Sequence, residues 1–161
     1  MKALKIFAIS FGVLFAVAFT GLVVVASFGP DTYIYLGKQL PKRYAQKIQD
    51  LGLIDEGERI KYFYSDALVN IEDGMYFVTD RHLVLYSREW QEPKTIIHFS
   101  EIVNLEAEFD ESLLSDSMVY VKTASGMEVS FPVSSEHGRD KEFVRYLRQK
   151  TAQHEAPGAA S

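Results

Sequence analysis

The chain has 161 residues, 47% of them hydrophobic, with 17 Lys and Arg against 22 Asp and Glu, and no cysteine. That length suits one domain with a core of its own. Lack of cysteine excludes a disulfide framework, a lipid-modified cysteine and thiol chemistry, and a net charge of −5 argues against a surface built to grip nucleic-acid phosphates.

The first element is an uncharged run, Ile6 to Phe28, mostly Ile, Leu, Val, Phe and Ala. A helix of that length reaches about 34 Å, enough to cross a hydrocarbon core of roughly 30 Å. Lys2 and Lys5 precede it, and Gly29-Pro30-Asp31 closes it, since proline cannot continue a helix. The run reads as a single membrane span, placing the protein in a bacterial inner membrane. The side taken by the rest of the chain is open, because basic residues flank both ends. The alternative is a cleaved signal and a secreted domain. Val24-Val25-Ala26 offers a cut site, but signal cores are shorter, about 7–15 residues. These limits give a division into 1–30 (anchor), 31–54 (juxtamembrane connector), 55–151 (folded domain) and 152–161 (disordered tail).

In the connector, Tyr33 and Tyr35 sit where aromatic rings favour a membrane interface. Pro41 to Leu51 reads as a short amphipathic helix with Tyr44, Ile48 and Leu51 on one face. Lys38, Lys42, Arg43 and Lys47 then form a candidate contact with anionic headgroups, at about 1 kcal/mol for each basic residue near the surface. A solvated connector is the plainer alternative.

From Glu58 the period becomes strand-like. Strands are expected over 59–64, 75–79, 82–87, 95–99, 102–109, 118–123 and 127–131. The separators are turn-prone: Glu72-Asp73-Gly74, Asp80-Arg81 and Ala124-Ser125-Gly126. Short links favour antiparallel hairpins. A helix follows near Arg139 to Thr151, with Phe143, Val144 and Leu147 as its apolar stripe and Tyr146 beside it. Ala152 to Ser161 offers little to bury.

Seven short strands and a closing helix, together with Gly74-Met75-Tyr76-Phe77-Val78-Thr79-Asp80-Arg81-His82-Leu83-Val84-Leu85 and the step Phe99-Ser100-Glu101-Ile102, resemble the bacterial pleckstrin-homology-like (PH-like, GRAM-like) domains. The resemblance covers about 55–151. It implies a mainly β fold: a seven-stranded antiparallel barrel or sandwich closed by a C-terminal helix, here preceded by a transmembrane helix. In the hairpin, Asp80 is expected to bond its own turn. Lipid-binding members carry a basic cluster on the first hairpin loop. The matching stretch, Ser65 to Asp73, has Asp66, Glu72 and Asp73 and no Lys or Arg, which disfavours phosphoinositide binding.

Residues 55–151 carry eleven Lys and Arg against nineteen Asp and Glu, a net of −8. Within them Glu106, Glu108, Asp110 and Glu111 form a candidate acidic surface for a partner, or a solvated strand face. His82, His98, His137 and His154 are scattered, without metal-ligand spacing, and no nucleophile motif or glycine-rich phosphate loop stands out. The residues thus point to no cofactor, no metal and no catalysis. The reading is a membrane-anchored protein-interaction module, an accessory subunit or adaptor of a membrane complex. The alternative is a ligand- or lipid-binding barrel assisting transport or an enzyme.

Overall fold

The computed structural model describes residues 14–17, 19–21, 29–111 and 115–155. Most of the Ile6–Phe28 run therefore lies outside the described residues. The parts within it are helical, with Leu14, Phe15, Val17 and Phe19 exposed. Among the described residues no helix is long and apolar enough to cross a membrane.

The elements in order are β1 (Tyr35–Leu36), α1 (Lys42–Asp50), β2 (Ile60–Tyr64), β3 (Met75–Thr79), β4 (His82–Tyr86), β5 (Lys94–His98), β6 (Ile102–Glu108), β7 (Ser117–Thr123), β8 (Glu128–Val133) and α2 (Arg139–Glu155). All pairings are antiparallel. Strands β1 to β5 form one sheet in sequential order, and β6 to β8 form a second. No ladder joins the two among the described residues, so of the expected barrel or sandwich it is the two-sheet sandwich that forms. The eighth strand is β1, which lies in the segment read as connector. It lets the chain lie against β2, with Gly37 so close to the Ile60 carbonyl that a Cβ there would overlap it.

β3 and β4 are buried along their whole length. Their side chains alternate between two cores because successive residues of a strand point to opposite faces. Tyr76, Val78, Leu83 and Leu85 turn inward to Val119, Val121 and Phe131 of the second sheet and to Phe143, Val144 and Leu147 of α2. Phe63, Met75, Phe77 and Val84 turn the other way, onto Tyr44 and Ile48 of α1 and onto Leu53. The molecule is therefore layered: α1, the five-stranded sheet, then the second sheet with α2. The boundary at residue 55 does not follow this packing, since Ile34, Tyr35, Tyr44, Ile48 and Leu53 are all core residues.

The apolar stripe of α2 is buried as expected. The helix runs to Glu155, four residues past its expected end, and the remaining tail lies outside the described residues. Near its start Asp140 accepts from Ser117 Oγ at 2.7 Å, and at its middle Tyr146 donates to the Thr79 carbonyl at 3.1 Å.

The five-stranded sheet has two distinct ends. At one lie the loops 65–74 and 87–93, where Tyr64 donates to Asp116 at 2.5 Å and Tyr76 to Asp66 at 3.1 Å. At the other lie the Asp80-Arg81 turn, the 3-10 turn Phe99–Glu101 and the β7–β8 turn, whose Ala124 N–H bonds the Glu101 carbonyl at 2.8 Å.

Candidate functional site

The turn end carries a polar chain that runs from the buried Glu58 and His82 out to the exposed His98. The β4–β5 register sets His82 directly opposite His98. His82 Nδ1 lies 2.8 Å from Glu58 Oε1, and His82 Nε2 lies 3.1 Å from His98 Nδ1. Glu58 enters from the residue pair before β2, and its side chain is 1% exposed. Thr79 Oγ1 also donates to Glu58 Oε1, and the Asp55 N–H donates to Oε2 at 2.8 Å. The carboxylate fixes the proton of His82 on Nδ1, because an ionised carboxylate only accepts. His82 Nε2 and His98 Nδ1 share the next hydrogen bond of the chain.

Burial pulls the Glu58 carboxyl upward, but the Thr79 hydroxyl, the Asp55 N–H and His82 outweigh it and hold the group below its ordinary range. A carboxyl whose pKa is depressed by folding adds stability above the unfolded value of 4.5, and that stability is lost as pH falls through the lower folded value. Glu58→Gln is therefore expected to destabilise by about 1–3 kcal/mol at pH 7, since it leaves a buried site partly unsatisfied. The gap to the parent protein should narrow as pH drops below 4.5. Urea midpoints measured from pH 7 down to pH 3 check this, and a gap that stays constant with pH sinks it.

The hairpin turn is held differently from the expectation. Thr79 Oγ1 accepts from the N–H groups of Arg81 and His82 at 2.9 and 2.8 Å. Asp80 instead reaches across to β2, accepting from Arg59 N–H at 3.0 Å and Arg59 Nε at 3.2 Å. The turn and the start of β2 are thereby clipped together beside Glu58.

Next to this chain runs an open groove of about 710 Å³ between the segment Leu36–Leu40, α1 and the start of β2. Its floor is apolar, with Leu36, Leu40, Ile54 and Ile60. Its rim is basic, with Lys38, Arg59 and Lys61. Lys38 and Lys61 have no acidic partner within salt-bridge distance among the described residues. Ile54 and Glu58 also line a smaller cleft of about 180 Å³ that reaches His82 and His98.

Of the four basic residues named in the connector, only Lys38 lines this groove. Lys42 is exposed at the start of α1. Arg43 lies over the Tyr44 ring at 4.8 Å and donates to its hydroxyl. Lys47 pairs with Glu72 at 2.7 Å. Arg43 and Lys47, four residues apart on α1, lie on one side of the helix. Glu106 and Glu108 share the outward face of β6, as the period of two requires, and accept from Asn104 and Tyr120 at 2.9 and 3.1 Å. Asp110 and Glu111 follow the strand. In the first hairpin loop, Asp66 bonds Tyr76, Glu72 pairs with Lys47, and Asp73 pairs with Arg88 at 2.6 Å. Trp90 packs against Tyr76 with ring centroids 6.4 Å apart.

Sequence reasoning missed Glu58, His82 and His98 as a unit. The signal was the cross-strand register of the hairpin, which a seven-residue loop between the strands conceals.

No family model matches the chain, and no curated protein matches it. Solved structures do. A pleckstrin-homology domain containing bacterial protein from Exiguobacterium sibiricum is 15% identical, with a TM-score of 0.52 over 75% of this chain and 62% of that one. A protein with a pleckstrin-homology domain from Shewanella loihica is 12% identical, with a TM-score of 0.48 over 66% of this chain and 92% of that one. A pleckstrin-homology domain from Shewanella amazonensis is 10% identical, with a TM-score of 0.48 over 68% and 86%. The first of these carries the likeness, and it concerns the fold alone: a PH-like sandwich with a C-terminal helix.

Proposed function

We propose that this chain is a membrane-anchored, non-catalytic PH-like module that binds a segment of another membrane-associated protein in the groove between Leu36–Leu40 and the start of β2. The groove is the observation that carries the reading. An apolar floor with Lys38, Arg59 and Lys61 on its rim suits an extended segment in which apolar and acidic residues alternate. The anchor is the uncharged run Ile6–Phe28, of membrane-spanning length.

The buried Glu58–His82 pair does not argue for catalysis. Both ring nitrogens of His82 are engaged, one by Glu58 and one by His98, so neither is left to take a proton from a substrate. Its role is to brace the end of the groove. An inositol-phosphate headgroup at the first hairpin loop is disfavoured, because it would meet Asp66, Glu72 and Asp73.

The test is site-specific photocrosslinking in native membranes. A photoreactive residue at Gln49, which lines the groove, is expected to give one discrete adduct with a protein. The same residue at Ser130, on the exposed face of β8, should give none. Lys38→Glu with Lys61→Glu should reduce the Gln49 adduct at least about tenfold, the effect of roughly 1.4 kcal/mol. Equal labelling at Gln49 and Ser130, or indifference to the charge reversal, removes the groove from consideration.

A further inference from the structure

The loop after β2 carries the most exposed large apolar side chain among the described residues: Leu68 is 85% exposed, and its neighbour Val69 is 51% exposed. Exposed leucines are common, but this one has a particular neighbour. Gly29 packs so closely on the Leu68 backbone that a Cβ at residue 29 would overlap the Leu68 carbonyl oxygen. Gly29 follows Phe28, the last residue of the uncharged run, and consecutive Cα atoms are about 3.8 Å apart. The loop tip is therefore fixed within a residue or two of the point where the apolar run ends.

We infer that Leu68 and Val69 dip into the interfacial layer of the bilayer beside the anchor, so that the domain meets the membrane at two places. This rests on the anchored reading given above. The surroundings permit it. Asp66 and Asp116 are bonded by the hydroxyls of Tyr76 and Tyr64, Asp31 by that of Tyr35, and Glu72 and Asp73 are paired with Lys47 and Arg88. These five carboxylates each have a partner, and the tip itself presents two aliphatic side chains, while Glu89 and Glu92 of the neighbouring loop 87–93 stay exposed to the aqueous side of the headgroups. Trp90, 39% exposed, lies in the neighbouring loop 87–93 at the same end of the sheet, a position that suits an interfacial aromatic. The contact is an apolar one to lipid chains and headgroup carbons. It needs no phosphoinositide and no cation cluster.

The chain has no cysteine, so single cysteines can be introduced and labelled without background. The full chain bearing Leu68→Cys, labelled with an environment-sensitive nitrobenzoxadiazole dye, would be reconstituted in phosphatidylcholine–phosphatidylglycerol vesicles. Ser125→Cys, in the turn at the opposite end of the sheet, serves as the reference site. The dye at 68 is expected to emit at shorter wavelength than at 125 and to lose at least about half its intensity when the lipids carry brominated acyl chains. Val69→Cys should behave as Leu68→Cys does. Emission at 68 matching that at 125, with no quenching by brominated lipid, overturns the inference. So does shielding at 68 from iodide in water without quenching by lipid, which would mark a protein contact. Alkaline carbonate extraction of the same vesicles is scored separately. Release of the protein overturns the anchor, whereas the dye signal alone decides the loop.

Discussion

A fragment comprising residues 55–161 is expected not to fold, whereas residues 29–161 are expected to unfold cooperatively in urea. At β3 and β4 the five-stranded sheet is buried on both faces. Phe63, Met75, Phe77 and Val84 leave it on the side covered by α1 and the segment around it, and Ile71 joins them there. Removing residues 31–54 would uncover these five side chains. At about 1.5–3 kcal/mol for each fully buried apolar side chain, the loss reaches roughly 10 kcal/mol. That is comparable to the whole stability of a domain, about 5–15 kcal/mol. The shorter fragment would also lose β1 and leave the outer edge of β2 without its partner. Far- and near-ultraviolet circular dichroism and a urea titration of both fragments decide the matter. A cooperative transition for 55–161 with a midpoint near that of the longer fragment would show that the N-terminal layer is an accessory.

Phe143→Ala is expected to cost about 3–5 kcal/mol. Phe143 is fully buried at the junction of α2 with both sheets. Its ring lies 6.0 Å from Phe131 of β8 and 6.0 Å from Tyr62 of β2. Truncation would open a cavity where these elements meet, and the rigid sheets on either side could not close it. Phe143→Leu retains most of the volume and is expected to cost less than about 1.5 kcal/mol. The contrast between the two variants, read from denaturant midpoints at constant slope, separates packing from a general effect on helix propensity. A loss below about 0.5 kcal/mol for the alanine variant would mean that α2 is not tied to the core.

Much of the sandwich was legible in the sequence. All seven expected strands form, with ends within two residues of their expected positions. β7 shows why: Ser117, Val119, Val121 and Thr123 are buried while Tyr120 and Lys122 are exposed, so one wet face leaves its period in the residues. The stripe Phe143, Val144, Leu147 was legible for the same reason. β1 was not, because two residues carry no period. The place of α1 was half legible. Tyr44 and Ile48 marked its apolar face, but what that face covers had to be read from β3 and β4. Met75-Tyr76-Phe77-Val78 and Leu83-Val84-Leu85-Tyr86 lack polar alternation, the mark of a sheet covered on both sides.

The site was the least legible part. The contact between Glu58 and His82 spans 24 residues and joins the segment leading into β2 to β4, although β3 lies between those two strands in the sheet. No spacing rule along one strand or one helix produces such a pair. The groove arises from the same kind of juxtaposition, between Leu36–Leu40 and Glu58–Lys61. The acidic run on β6 was visible because it is local.

The two ends of the five-stranded sheet set a reach. Strands of five residues at about 3.3 Å per residue separate the Leu68 end from the Glu58 end by roughly 17 Å. The headgroup layer on each side of a bilayer is thinner than that, about 5–8 Å. If the loop end rests on the lipid, the groove stands clear of the headgroups and looks onto solvent or onto a neighbouring protein. A helix lying flat on the same membrane would pass beneath it. A partner would have to lift its segment above its own last membrane residue by at least about five extended residues, at some 3.3–3.6 Å each. The height of the sheet would thus act as a ruler, admitting upright tails and soluble loops and passing over whatever stays close to the lipid.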